Sequence, residues 1–447
     1  MVTLMDARPP APAPRPAPRL LLVNPWIYDF AAYDFFAAPL GLLTLAGLLL
    51  SLGYEVEYLD CLAAPRRPGP FGTGRYPKEI LPTPPVVADV PRRYGRYGAP
   101  EAQVRSRLEE LAPPDAVLVT SLMTYWYPGV AAVIRLVREY FPRAPVLLGG
   151  IYASLCPEHA RRVSGADVVL PGPGEETLPA ALATLGLGPP RPPAPWEEPP
   201  WPALHLASGL SFIPLLTSRG CPFACEYCAS PRLAGPWRPR APAAAAAELA
   251  YWHRTLGLAD VALYDDAFLC RPEEHALAFL EEVARLGLKL RFHTPNALHA
   301  RFLTPEVARA LKRAGFVQPR LGVETAARWE ARPDRKLAKE ELEAAVAHLV
   351  AAGYAPGEIG AYLLLGLPGQ EDAEMEASIR TLRRLGVKPI LASYSPLPGT
   401  PAWPKAVAAS RYDLRAEPLC HNNSLFPCWP TFSWERYTRL KRLAQET

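Results

Sequence analysis

Ser218-Arg219-Gly220-Cys221-Pro222-Phe223-Ala224-Cys225-Glu226-Tyr227-Cys228-Ala229-Ser230 places three thiols within eight residues, at C-x3-C-x2-C spacing, with an aromatic directly before the last. An apolar, β-rich run from Leu210 to Leu216 leads into it. A short loop carrying three soft thiolates can wrap one corner of an iron–sulfur cube and bond three of its four irons. No fourth cysteine follows nearby, so one iron would stay open to a small-molecule ligand. Metal-centred chemistry on a substrate requires such an open position, and a purely structural site would close it.

Three other readings of the triplet stand beside this one. Structural zinc wants four ligands, usually as two pairs, and no histidine lies near the triplet. A redox pair of Cys225 and Cys228 leaves Cys221 without a role. Disulfides need an oxidising compartment, of which the sequence gives no sign. The stretch C-P-F-A-C-E-Y-C resembles the signature of the radical S-adenosylmethionine (radical SAM) enzymes, whose open iron is chelated by the methionine end of S-adenosyl-L-methionine.

The composition suits a folded enzyme. Its 447 residues are enough for two or three domains, with 49% apolar and 21% charged residues. A net charge of +4 implies no strong field for nucleic acid or a membrane surface. The longest apolar run, Leu40 to Leu50, is shorter than the roughly 20 residues of a spanning helix, so no stable membrane insertion is expected. Leu20 to Val23 is too short for the core of an export signal. Eight cysteines without framework spacing fit a reducing cytoplasm. A cytoplasmic protein is expected.

In order, residues 1–18 are a Pro/Ala-rich, disordered tail. Over 19–185, short β-branched strands alternate with helices: Arg19 to Asn24, a helix through Leu42 and Leu52, Glu55 to Leu59, then Ala116 to Ser121, a helix from Pro128 to Tyr140, Val146 to Gly150, and Val168 to Leu170. This α/β pattern predicts a Rossmann-like, doubly wound sheet. The basic, proline-rich text from about 63 to 110 reads as a long excursion that can cover the site. Residues 186–210 form a stiff Pro-rich linker. From 211 to 405, six strand–helix units predict a (β/α)6 partial TIM barrel, and 406–447 is a C-terminal extension.

A barrel gathers its chemistry at the loops after the strands. Those positions hold Cys221, Asp265 with Asp266, His293 with Asn296, Glu324 with Thr325, Gly366 to Gly369, and Tyr394. Each has a bland reading as a turn, cap or loop-satisfying residue; their shared placement is what singles them out. Asp265, Asp266 and Glu324 are hard oxygen donors, suited to ammonium and hydroxyl groups and poorly matched to a thiolate-bound iron. Asn296 and His299 can equally satisfy loop backbones.

The resemblance extends over most of the chain, because a Rossmann-like domain ahead of the barrel is similar to the cobalamin-binding branch of the radical SAM family. It implies a 4Fe-4S cluster on Cys221, Cys225 and Cys228, with Tyr227 near the adenine of S-adenosyl-L-methionine. It further implies amino contacts from Asp265 and Asp266, and ribose or carboxylate contacts from Glu324 with Thr325. Gly366, Gly369 and Tyr394 would line the adenine. An electron donor such as flavodoxin or ferredoxin and an unknown organic substrate are implied as partners. The reaction would be reductive cleavage of the cofactor to a 5′-deoxyadenosyl radical, serving a C-methyltransferase or a related radical modification.

Cobalamin would sit at the first domain, where Pro39-Leu40-Gly41, Asp60 and Gly149-Gly150 are placed like residues of that branch. The D-x-H-x-x-G motif is absent, and no histidine precedes His159. A lower-face ligand would then be water, a side chain such as Tyr28 or Tyr125, or nothing. A domain that has lost cobalamin, or a non-catalytic iron–sulfur carrier, are the alternatives. Cys420 and Cys428, flanking His421 to Pro427, read as buried thiols beside Phe426 and Trp429, with an auxiliary cluster as the other reading.

Overall fold

Five short runs of leucine and valine pair into one parallel sheet: Arg19–Asn24, Glu55–Asp60, Ala116–Val119, Val146–Leu148 and Val168–Val169. The computed structural model describes residues 17–64, 67–191, 200–327 and 336–446. Most of the expected tail, and 192–199 of the expected linker, lie outside these. Numbered along the chain, the strands stand in the order 2-1-3-4-5. Alternate residues feed two cores. Leu21, Val23, Val117 and Val119 pack on the helix Tyr127–Tyr140 through Val133, Ile134 and Val137. Leu20, Leu22 and Leu118 pack on Leu42 and Leu49 of the helix Leu40–Ser51 and on Leu178 and Leu182 of Gly174–Thr184. Both faces are covered, which is why the first strand is apolar throughout instead of alternating. In this order the crossover direction reverses between the first and third strands, so ligand space opens beyond Asn24 and Thr120.

The excursion after the second strand is more regular than its sequence suggests. Ile27–Asp29, Gly95–Tyr97 and Lys78–Ile80 form one small antiparallel sheet; Tyr33–Asp34, Gly74–Arg75 and Arg67–Pro68 form another. A helix, Glu101–Glu110, replaces part of the expected loop. Only Val104 and Leu108 are buried on it, a single i,i+4 pair too sparse to register as a period. The excursion reaches the barrel. Phe36 is buried with Phe212 and Ala262, and the Tyr264 hydroxyl donates to the Phe36 carbonyl while accepting from Ala38 N at 2.8 Å.

Six parallel strands build the second half: Ile213–Leu215, Asp260–Leu263, Arg291–His293, Arg320–Glu324, Gly360–Leu365 and Lys388–Ser393. They form two three-stranded halves joined by single bridges, Phe292 to Phe316 and Leu298 to Leu321. Val261, Phe292, Val323 and Leu363 face outward onto Leu249, Phe279, Leu311 and Ile379 of the surrounding helices. The helix expected from Pro272 opens instead with a π-helical turn, Glu273–Leu277, before Ala278–Leu286. Such turns cluster at functional sites, and this one carries His275 toward the barrel. Among the described residues, no helix is long and apolar enough to cross a membrane.

The C-terminal extension folds back across both halves. Asp29, 2% exposed, accepts from Asn422 Nδ2 at 2.8 Å and from Trp126 Nε1 at 2.7 Å. His421 Nδ1 lies 3.0 Å from Thr124 Oγ1, and the Tyr412 hydroxyl donates to Asp89 at 2.8 Å. Leu40 and Leu43 of the first long helix join the core of Ile213, Leu215, Ala245 and Leu249, so the two halves share apolar packing. Leu43→Ala should cost about 2–5 kcal/mol, read from denaturant midpoints; a cost below about 0.5 kcal/mol, the range of surface changes, would show that this junction is loose.

Candidate active site at the mouth of the barrel

The first barrel strand runs out at Thr217 and Ser218, both fully buried. Ser218–Arg219 pairs antiparallel with Arg238–Pro239, closing the cysteine loop at its base. Gly220 has φ of 76°, and a Cβ there would stand 2.4 Å from the Gly235 carbonyl oxygen, so only glycine can precede Cys221. Within the loop, Cys228 N donates to the Cys225 carbonyl at 3.0 Å, and Ser230 N to Cys228 Sγ at 3.4 Å. Burial pushes the Cys221 thiol up to about 11 and raises that of Cys228. Both are therefore protonated near neutrality without metal, and metal binding must displace their protons.

Among the described residues, no three His, Cys, Asp or Glu side chains converge as ligands of one ion. A tetrahedral zinc site needs four donors on one point, whereas thiolates of an iron–sulfur cube each meet a different iron.

The two neighbouring aspartates have different surroundings. Asp265 is 2% exposed and turned beneath the loop. Thr217 N and Oγ1 donate to it at 3.1 and 2.7 Å, and Ser218 Oγ at 2.6 Å. With both oxygens engaged by protein, Asp265 fastens the root of the loop. Thr217 Oγ1 also lies 2.9 Å from His275 Nε2, an imidazole held neutral because burial lowers it to about 4. Thr217, Ser218 and His275 carry no motif. Asp266 receives Ser230 Oγ at 2.5 Å, and burial raises its carboxyl.

At the fourth strand end, Glu324 has φ of 62° and sits at a register shift after Gly322. A non-glycine residue held there is strained, as active-site residues often are. Lys336 Nζ donates to Glu324 Oε1 at 2.8 Å, and both lie near the thiols, where the Lys336 charge lowers Cys221 and Cys228 against the stronger effect of burial. Sequence reading missed Lys336, which lies twelve residues along the chain from its partner. The Thr325 hydroxyl donates to Glu374 Oε1 at 3.0 Å on a later helix.

The Gly366–Gly369 turn is held from within, Gly366 N donating to Gln370 Oε1 at 2.8 Å, and Gly366 lies against the Phe426 ring. Tyr227 and Tyr394 meet in one apolar cluster with Leu419, Cys420 and Cys428. The Tyr394 hydroxyl is buried without a hydrogen-bond partner among the described residues. Asn296 Nδ2 donates to the Tyr264 carbonyl at 2.8 Å, the loop-satisfying role. His299 Nε2 lies 4.0 Å from Cys221 Sγ, its ring stacked on Phe223. Cys420 and Cys428 are buried, each thiol pushed up to about 12.

Beside the loop, the first sheet opens a pocket of about 130 Å³ lined by Gly41, Thr120, Gly149, Gly150, Gly172 and Glu175. A Cβ on Gly41 or Gly172 would meet nothing within 4 Å and would project into open space. Gly150 has φ of 95°, with Ser121 O 2.2 Å from the position a Cβ would take, so this cradle requires glycine. Glu175 Oε1 receives Arg219 Nη2 at 2.5 Å, tying the pocket wall to the residue two before Cys221. Tyr125 is buried, and burial raises the hydroxyls of both Tyr28 and Tyr125 above their ordinary value.

Residues 215–382 match the family model of the radical SAM superfamily, and residues 89–182 that of the B12 binding domain. The chain carries a radical SAM domain behind a B12-binding domain. Its radical SAM match begins at the first barrel strand, and its B12-binding match covers the third to fifth strands of the sheet with the Gly149-Gly150 cradle. An uncharacterized methyltransferase of Pyrococcus horikoshii is 24% identical over 359 residues, spanning 73% of each chain. Cytidylyl-2-hydroxyethylphosphonate methyltransferase of Streptomyces wedmorensis is 28% identical over 171 residues, 37% of this chain and 28% of that one. The radical S-adenosylmethionine methyltransferase TsrM of Kitasatospora setae, solved with cobalamin and a 4Fe-4S cluster, superposes with a TM-score of 0.65. The match covers 92% of this chain and 82% of TsrM at 17% identity, a likeness of fold.

Replacing Cys221, Cys225 or Cys228 by Ala should each abolish the brown visible chromophore of anaerobically reconstituted protein. The Cys420→Ser/Cys428→Ser double variant should keep it in full; its loss there would reinstate the auxiliary-cluster reading.

Proposed function

We propose that this radical SAM enzyme binds a 4Fe-4S cluster on Cys221, Cys225 and Cys228, S-adenosylmethionine above it and cobalamin at the glycine cradle, and methylates an organic substrate. The single observation that carries this reading is the Arg219–Glu175 contact, which brings the cysteine loop and the cradle of the B12-binding domain to one place. The methyltransferases among its relatives support the same outcome.

Held by Cys221, Cys225 and Cys228, a 4Fe-4S cluster would supply the one-electron reduction of S-adenosylmethionine, and cobalamin at the glycine cradle would supply a methyl carrier. The chain's own residues bind, orient and shield. Glu324, braced by Lys336, is placed for the cofactor's hydroxyl or amino groups; Asp266 serves the amino end. Tyr227 and the unpartnered Tyr394 hydroxyl form an apolar wall with one polar point, suited to a purine ring. The C-terminal extension and the aromatic excursion exclude water and oxygen from that space. With no histidine before His159, cobalt's lower face would be met by water, a side chain or nothing, and with the nucleotide tail in the glycine cradle a base-off spectrum is expected. Flavodoxin or ferredoxin in the cytoplasm is the proposed electron source.

Incubating reduced, cobalamin-loaded protein with S-adenosylmethionine should form 5′-deoxyadenosine and move label from the S-methyl group onto protein-bound corrinoid. Deoxyadenosine without labelled corrinoid would favour a radical enzyme of other outcome; neither product would leave an iron–sulfur carrier. Glu324→Ala should weaken S-adenosylmethionine binding about tenfold or more, the worth of a charged hydrogen bond, while the iron content stays intact. Loss of iron in that variant, with the fold unchanged, would remove Glu324 from the cofactor's binding set.

A further inference from the structure

The two barrel halves meet at a seam where single bridges replace a ladder. Ala297 and Gln318 flank it with φ of 69° and 51°, conformations that L residues persist in only where their surroundings enforce them. A cavity of about 230 Å³ opens there, lined by Phe35, Phe36, Phe71, His293, Gln318 and Arg320. None of its lining belongs to the cysteine loop or the glycine cradle.

Charge is not balanced around this cavity. Asp260 is satisfied by Arg291, whose Nε and Nη2 donate to its two oxygens at 2.8 and 2.5 Å, and it lies 2.8 Å from His293 Nε2. Burial holds His293 toward its neutral form. That set carries one positive and one negative charge and cancels. Arg320 is left over. Its guanidinium donates to Gln318 Oε1 at 3.4 Å and meets no carboxylate among the described residues. Burial lowers its pKa, the mark of a desolvated cation without a counter-ion. The walls are flat and apolar: Phe36 stacks on His293 at 4.6 Å between centroids, and Phe71 tilts over it at 4.8 Å.

We propose that this seam cavity is a second small-molecule site, which binds an organic carboxylate with a flat apolar body. The carboxylate pairs with Arg320, whose planar fork matches it, and the body lies along Phe36 and Phe71. Phe36 and Phe71 come from the first domain and Arg320 from the barrel, so the occupied site also joins the two halves.

Benzoate is the probe, and titration calorimetry on the purified full chain is the measurement. Saturable benzoate binding is expected, with no binding of the uncharged benzyl alcohol. Arg320→Gln should weaken it about tenfold or more. Gln318→Glu should do the same by supplying an internal carboxylate to Arg320, and its unchanged thermal melt would show that the fold is kept. S-adenosylmethionine should not displace the probe. Absence of saturable benzoate binding, undiminished binding in both variants, or competition by S-adenosylmethionine would each overturn the assignment.

Discussion

One buried carboxylate sets the geometry on which the site depends. Asp265 takes three hydrogen bonds from Thr217 and Ser218, the last residues before the thiol loop turns away from the barrel. Hydrogen bonds to a charged acceptor contribute about 1.5–3 kcal/mol each, and none of these donors has access to water. The loop therefore leaves the second barrel strand as rigidly as it leaves the first. His275, carried by the π-helical turn, presses on the same Thr217 hydroxyl, so two strands and a helix share in aiming the three sulfurs. A loop of this kind is preorganised for a cluster before any iron arrives.

The first domain is bound into the same constraint. Arg219 extends the loop's root to Glu175, at the rim of the glycine cradle, and Leu40 with Leu43 lies in the barrel's own core. From the far side, the C-terminal extension anchors to Asp29, while helix Trp403–Ala409 meets the loop itself through Lys405 and Glu226 at 3.1 Å. Shared packing of this extent opposes free domain motion.

The sequence is legible here wherever the determinant is local. The cysteine triplet lies within eight residues, and buried parallel strands between periodic helices could be placed to within about three residues, because turn residues bound them. Side-chain direction was not legible. Asp265 and Asp266 are adjacent, yet one faces inward beneath the loop and the other reaches Ser230, a choice made by which donors the fold brings near. Thr325 follows Glu324 but turns to Glu374, because the strained backbone at Glu324 swings successive side chains apart. Lys336 could not be found at all: it answers Glu324 only once the chain has returned to the strand end. The helix Glu101–Glu110 escaped for a different reason, since its two buried residues leave almost no periodic signal.

The account stands on one arrangement, three thiolates holding a cluster beside a corrinoid cradle. Metal analysis of anaerobically reconstituted, gel-filtered protein tests it most directly. It predicts about four irons in one cluster anchored by the triplet, and about one cobalt per chain, with the cobalt lost when Gly41→Leu fills the cradle. Zinc in place of iron, or iron without retained cobalt, would contradict it.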